Sequence, residues 1–445
     1  MVAVAAADTL LAYKLSPAVA LLAPLAIAAA VCFFYRPIVG VYAAMLLVPA
    51  EALNLSFGSF GLTPTKAILL LVGGVVSLRF ILTGRLRSVH PAYVAFMVGQ
   101  AITILGLLVA KDTFVVLKLF VTWSAFLAVS MLVASAEPGQ IKKILYCMTA
   151  GGAILAIESI AHGTHQTLVN GGLAATDRAQ GSFTHPAQLG FWLVLATAPA
   201  LVLAILSRHL VRALILVAAG LSIAGLLLTL TRGAIIGFAG SLIVLLLWTR
   251  FRRAALVLLI AGGVFAALNF GALSRSRELS VVTTRLSTVT QGIQTGGKRI
   301  QIWDTTPRII ADHPLLGVGA GNFKNVSLEY GLSEGGQPFE HAHNVALTIA
   351  AERGLGGLAM LLLFVLAIGR TGFDALRRPR SDLYPYALAL CAALFGTSIE
   401  SLVDYPPGQD AVMGTIMIVV GALIALERHM RSQQTSGSAL ATRLS

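Results

Sequence analysis

Charge is scarce in this chain: of 445 residues only 11% are charged, whereas 57% are hydrophobic. Acidic residues are scarcer still, 19 against 32 lysines and arginines, for a formal net charge of +13. So apolar a composition excludes a soluble enzyme, because apolar runs long enough to cross a hydrocarbon core of about 30 Å recur along nearly the whole sequence. The positive residues are gathered into no basic domain or arm, which argues against nucleic acid as a partner; they are dealt out in small loops, the pattern of topogenic Lys and Arg. Cysteine is nearly absent: Cys32, Cys147 and Cys391 all lie in apolar segments and provide neither a disulfide framework nor a metal cluster. The N-terminus "MVAVAAADTLLAYK" lacks a basic region ahead of its first apolar run and does not read as a cleaved signal peptide.

What is present is a series of spans. Apolar segments fall near 17–34, 37–53, 66–83, 91–110, 113–134, 141–161, 186–206, 212–230, 233–249, 254–272, 345–370, 384–403 and 408–427. The expectation is an all-α polytopic membrane protein with about 12–13 transmembrane helices. Five sections follow: N-terminal transmembrane helices (1–175), transmembrane helices with outward-facing Arg hairpins (176–272), one large loop (273–342), C-terminal transmembrane helices (343–427) and a tail (428–445). If the spans alternate, the clusters at Arg85/Arg87, Lys142/Lys143, Arg208/Arg212, Arg250/Arg252/Arg253, Arg377/Arg378/Arg380 and Arg428/Arg431 share one side, which the positive-inside rule makes cytoplasmic. The stretches "TDRAQGSFTHPAQ", "TRGA", the large loop and "SLVDYPPGQD" then face outward together, distant in sequence but on one membrane face.

Within those outward stretches lie the residues able to carry chemistry. Arg232 interrupts the apolar run "ALILVAAGLSIAGLLLTLTRGAIIGFAGSLIVLLLW", where a charge is costly unless it reaches water or an anion. It is open to two readings, a hairpin tip that snorkels to the interface or a phosphate ligand. The large loop adds Arg275, Arg277, Arg285, Lys298, Arg299 and Arg308, an excess on the wrong side for topology that invites an anionic partner or serves to solvate the loop. Guanidinium keeps its charge and binds phosphate oxygens bidentately, which suits a lipid-linked diphosphate. "GVGAGNF" looks superficially like a nucleotide loop, but it follows "DHPLL" rather than a strand and reads as a turn. In "HAHN", His341 and His343 with Glu340 do not complete a zinc shell. A histidine there also suits a general base, and Asn344 suits the N-cap of the helix that follows. Glu352, nine positions beyond His343, falls about 13 Å along that helix and reads as a structural or supporting group.

His343 and Asn344, followed by nine residues and then by Gly354 and Gly357, resemble the His motif of the O-antigen ligase and polysaccharide polymerase superfamily of bacterial lipid-linked glycan transferases. "RAQGSFTHPAQLG", "LTRGA" and "RIQIWDTTPRIIADHPLLGVGAGNF" extend the similarity over roughly residues 176 to 427; "FGLTPTKAILLL" is a faint echo nearer the N-terminus. The resemblance implies a GT-C-like helical fold in the bacterial inner membrane, multi-pass, with its active site and large loop facing the periplasm. It implies an undecaprenyl-diphosphate-linked glycan as donor, and lipid A-core or another lipid-linked glycan as acceptor, for ligase and polymerase respectively. His343 would activate the acceptor hydroxyl; Arg232, Arg299 and Arg178 would bind the donor diphosphate; Asn344, His341, Glu352, Gly354 and Gly357 would support the site. No cofactor or metal is implied, because arginines supply the positive charge. Pro307 departs from the family pattern and is expected to break or kink its helix. A lipid-linked-glycan flippase or transporter, the rival from another class, predicts internal repeats and ionisable groups at mid-membrane, which the sequence does not show.

Overall fold

The protein is described here from a computed structural model covering residues 27–57, 60–83, 89–161, 168–169, 172–173, 179–256, 297–406 and 410–444. Its helices, in chain order, are α1 (Pro37–Leu47), α2 (Pro64–Thr83), α3 (Pro91–Leu105), α4 (Thr113–Val133), α5 (Pro138–Ala161), α6 (Pro186–Leu206), α7 (His209–Leu228), α8 (Arg232–Leu245), α9 (Gly297–Asp312), α10 (Phe323–Ser327), α11 (Val345–Leu376), α12 (Tyr384–Ser401) and α13 (Asp410–Leu444). Strands are confined, among the described residues, to three two-stranded antiparallel hairpins. The molecule is an all-α polytopic membrane protein. Eight of its described helices are long and apolar enough to cross a membrane, and α1 with its 3₁₀ extension (Pro37–Ala50) and α8 (Arg232–Leu245) are shorter apolar helices. The expected span at 254–272 and most of the one at 17–34 lie outside the described residues.

Helix starts follow local sequence rules. At α3 and α6 a histidine precedes a proline, and the ring nitrogens of His90 and His185 accept from the amides of Ala92 and Ala187, each at 3.2 Å. Proline at the first helical position loses nothing, because that amide has no intrahelical partner. Asp112 caps α4 through Val115 N at 3.2 Å, and Asn344 caps α11 through Leu347 N at 3.0 Å.

The bundle packs around α6 and α13, whose apolar windows are 83% and 89% buried, against 22–33% for α2, α3, α7 and α11. The outer helices turn leucine, valine and phenylalanine outward, as in Leu214, Val217, Leu362 and Leu366, which suits acyl chains and would be untenable in water. Polar side chains join helices within the bundle: Trp192 Nε1 donates to Thr415 Oγ1 at 3.1 Å between α6 and α13, and Ser241 Oγ donates to Ala392 O at 2.8 Å between α8 and α12.

The two ends of the bundle differ. One gathers basic residues: Arg378 and Arg431 share Glu427 at 3.2 and 3.0 Å, and the Lys142 ammonium lies 4.8 Å above the Tyr386 ring. The other end carries the start of α11, the end of α12, the start of α8 and the described part of the large loop. That loop segment has a small core of its own, with Ile302, Ile309, Phe323, Val326 and Phe339 packed against Ala351 of α11. Helix α9 runs unbroken through Pro307, contrary to the expected break. Proline there can leave one carbonyl, that of Trp303, without its usual amide partner, while Thr306 Oγ1 donates to Ile302 O at 2.6 Å in the same turn.

Candidate active site

The site forms where α11 begins. Ala342 is pinned at both polar atoms: its amide donates to Thr348 Oγ1 at 3.1 Å and its carbonyl accepts from Trp303 Nε1 of α9 at 2.9 Å. His343 follows with φ +49°, a left-handed conformation uncommon for a residue with a side chain. Its amide donates to His341 Nδ1 at 3.2 Å. Asn344 then caps the helix through its oxygen while its Nδ2 donates to Leu402 O at 2.8 Å, tying the start of α11 to the end of α12. These contacts hold the His343 ring, partly exposed, at the helix mouth.

The end of α12 supplies the group opposite. Asp404 Oδ1 lies 3.2 Å from His343 Nδ1 and also accepts from Tyr405 N at 2.9 Å, while Asp404 Oδ2 lies 3.9 Å from Arg299 Nη2. Burial pushes the Asp404 carboxyl pKa up, but His343, Arg299 and His341 outweigh it and hold it at about 2. Asp404 is therefore an ionised acceptor, so His343 Nδ1 carries the proton of their hydrogen bond and Nε2 is the ring nitrogen outside that bond. His341, whose ring centroid is 4.4 Å from that of His343, has its pKa lowered to about 4 by burial and by the positive groups around it, and is neutral at physiological pH.

Asp404 is the residue that the sequence reading missed. It stands 61 positions from His343, and only the adjacency of α11 and α12 joins them. Its sole signal was to be an acid in the outward stretch "SLVDYPPGQD" of a chain poor in acids.

Of the other expected residues, the structure brings Arg299 directly to the pair. Arg232 is the first residue of α8; its neighbour Gly233 is set so close to α12 that a Cβ there would lie 3.0 Å from Val403 Cγ2, next to Asp404. Arg178 lies outside the described residues, as do Arg275, Arg277 and Arg285; Ala179, the next described residue after Arg178, donates its amide to Leu228 O at the end of α7. Glu352 is set away from His343. It is buried and meets the backbone amides of Gly321 and Phe323, securing the "GVGAGNF" turn against α11.

Gly354 and Gly357 shape the helix. Gly354 takes φ +66° and ψ −173°, a kink inside α11, and the Leu315 and Pro314 carbonyls close on it so that a Cβ would lie 2.3 Å from Leu315 O. Leu355 N donates to Pro314 O at 2.9 Å and Val318 N to Ala351 O at 2.9 Å, so the loop replaces hydrogen bonds that the kink breaks. The turn starts at Gly317, with φ +65° and no room for a side chain against Glu352. The first part of α11 thus belongs to the site and the remainder to the membrane.

His341, His343 and Asp404 each offer one ligand atom within 4.8 Å of the others, the set of His, Cys, Asp and Glu among the described residues with the proximity to hold a metal ion. A tetrahedral zinc shell with bonds of about 2.0–2.2 Å brings its ligands to about 3.4 Å from one another. The trio supplies three ligands, beside the Arg299 cation, which opposes a dication.

A polytopic helical membrane protein with a His–Asp pair and arginines at one end of its bundle is the class that the fold and site define. The family model described as O-antigen ligase matches residues 216–362, from α7 through the start of the membrane part of α11, and supports placing the chain in the O-antigen ligase superfamily. The matched segment holds Arg232, Arg299, His341, His343 and Gly354. It supports a membrane glycosyltransferase of the ligase or polymerase type. No curated protein matches the chain.

Proposed function

We propose that this protein transfers a glycan from an undecaprenyl-diphosphate-linked donor to a hydroxyl of lipid A-core at the periplasmic face of the inner membrane, the reaction of an O-antigen ligase. The observation that carries the reading is the pairing of His343 with ionised Asp404, beside Arg299; His343 and Arg299 lie within the family-matched segment and Asp404 beyond it. His343 Nε2 takes the proton of the acceptor hydroxyl as its oxygen attacks the anomeric carbon. The bond from that carbon to the diphosphate oxygen breaks, and its electron pair leaves with the diphosphate. Arg299, Arg232 and Arg178 stabilise the charge that grows on the leaving group, and Asp404 stabilises the imidazolium formed on His343. Attack opposite the leaving group inverts the sugar carbon. Arginine charge makes a divalent ion unnecessary to this scheme.

A polymerase uses the same donor chemistry and differs in acceptor. Purified protein incubated with lipid-linked glycan and lipid A-core, in EDTA, is expected to give glycan joined to lipid A-core. Lengthened lipid-linked glycan formed without lipid A-core would establish the polymerase reading instead. Absence of both products, or activity restored only by one specific ion, would overturn the proposal.

A further inference from the structure

The turn between α9 and α10 carries an exposed apolar tip. Leu315 is 82% exposed and Leu108, past the end of α3, is 79% exposed, the highest values for large apolar side chains among the described residues. The turn bridges the ends of two peripheral helices. On one side Pro314 O accepts from Leu355 N of α11 at 2.9 Å. On the other, a Cβ on Gly319 would lie 2.6 Å from Ala110 Cβ, just beyond α3. The exposed side chains of Leu105, Leu108, Val109, Leu315 and Leu355 therefore fall on the same rim.

That rim lies where a bilayer of ordinary thickness ends. Helices α3 and α11 run side by side in opposite directions: His90 Nε2 is 3.0 Å from Thr371 Oγ1, a Cβ on Gly99 would lie 3.7 Å from Met360 Cβ, and one on Gly356 would lie 3.3 Å from Ile102 Cδ1. From Leu355, just past the kink, to Leu376 at the basic end, α11 is about 33 Å long at about 1.5 Å per residue. The 18 residues from Pro91 to Leu108, α3 with its 3₁₀ extension, measure about 27 Å on the same scale. Both lengths match a hydrocarbon core of about 30 Å. Polar contacts begin directly beyond the rim: Lys111 pairs with Glu329, Asp112 N donates to Asn322 Oδ1 at 2.7 Å, and Tyr330 Oη donates to Asp312 Oδ2 at 2.8 Å.

We infer that the Pro314–Leu315 turn, with Leu355 and the end of α3, forms a shelf immersed among the acyl chains of the leaflet on the site's side of the membrane. Lipid is its occupant because the rim continues the outward faces of α3 and α11, whose apolar windows are only 33% and 22% buried. The kink at Gly354 then marks the hydrocarbon boundary. Gly354 lies about 15 Å along α11 from the cap Asn344, so the His343 mouth stands above that boundary by up to this distance. The same turn follows α9 directly and is tied to Leu355 N, so the shelf sets the height of α9 and of Arg299. The inference stands on length and exposure and is independent of the reaction proposed above.

Spin labels read the shelf without any assay of activity. On otherwise cysteine-free protein in phosphatidylcholine liposomes, a nitroxide at Leu315→Cys should collide more often with oxygen, which partitions into hydrocarbon, than with a water-soluble nickel chelate. Leu108→Cys should give the same order, and Gly335→Cys, at an exposed hairpin turn of the large loop, the reverse. Leu315 is exposed, so its replacement removes little packing; if Leu315→Cys is nonetheless lost on size exclusion, Leu355→Cys at the same level gives the reading. Nickel collisions exceeding oxygen collisions at position 315 would place the turn in water. Few collisions with either reagent would place it against a second copy of the chain. Either result would overturn the inference.

Discussion

His343 is placed rather than merely present. Three side chains, His341, Asn344 and Asp404, act on a residue whose backbone conformation is itself unfavourable, by roughly 1–3 kcal/mol for such sites, and each contact serves to aim one ring nitrogen. Asp404→Asn is expected to lower turnover by roughly 10²–10⁴, because the amide neither fixes the tautomer by charge nor stabilises imidazolium, while donor KM changes little. Steady-state kinetics with donor and acceptor varied separately would show it; a large rise in donor KM at unchanged kcat would place Asp404 in substrate binding instead. His341 makes a prediction about pH. Its pKa is about 4 in the folded protein, against an ordinary 6.5, mainly because of burial and then the charge of His343. Between those values the unfolded chain binds a proton that the folded protein refuses, so this residue's contribution to stability is present above about 6.5 and is lost as pH falls toward 4. Thermal unfolding in detergent should therefore show a smaller loss of melting temperature over that interval for His341→Ala than for wild type. An identical slope for both would contradict the assignment.

At the scale of elements, the ligase-like spacing from His343 to Gly354 acquires a physical meaning. The nine residues between Asn344 and Gly354 form a short helix that ends where the loop carbonyls of Pro314 and Leu315 press on the backbone. Gly354→Ala puts a methyl into a carbonyl and a side chain at φ +66°; strain of at least about 1–3 kcal/mol is expected, with loss of folded protein on size exclusion. Gly369, further along the same helix, has open space where its Cβ would go, and Gly369→Ala should fold as wild type does. Equal tolerance of both changes would mean that the kink is not needed. The cap at Asn344 and the turn at "GVGAGNF" were legible in the sequence, because each depends on residues close together in the chain. The kink was not: its cause is a loop about forty positions upstream, at Pro314 and Leu315, and the glycine motif alone reads equally as a helix-packing surface. For the converse reason Pro307 does not interrupt α9, since packing of α9 against α11 can offset the loss of one backbone hydrogen bond.

For the whole molecule, hydrophobic runs were enough to give an all-α membrane protein, because a spanning segment must satisfy its backbone internally and so announces itself by length and composition. The pairing of particular helices was not legible, and with it Asp404 was lost, since ridge-and-groove packing between α11 and α12 leaves no periodic trace in either sequence. The two-ended distribution of charge predicts orientation. Single cysteines at positions 335 and 380, on otherwise cysteine-free protein, should react with a membrane-impermeant maleimide from opposite sides of intact spheroplasts and inverted vesicles, position 335 from the outside. Labelling of both from one side would contradict a periplasmic site.

The account turns on the base, and the most direct measurement compares wild type with His343→Ala for both transfer to lipid A-core and equilibrium binding of the lipid-linked donor. Transfer is expected to fall roughly 10²–10⁴ while the donor Kd stays near its wild-type value; Arg299→Ala should weaken donor binding as well. Near-normal turnover by His343→Ala, with transfer lost instead in His341→Ala, would contradict the assignment at its central residue.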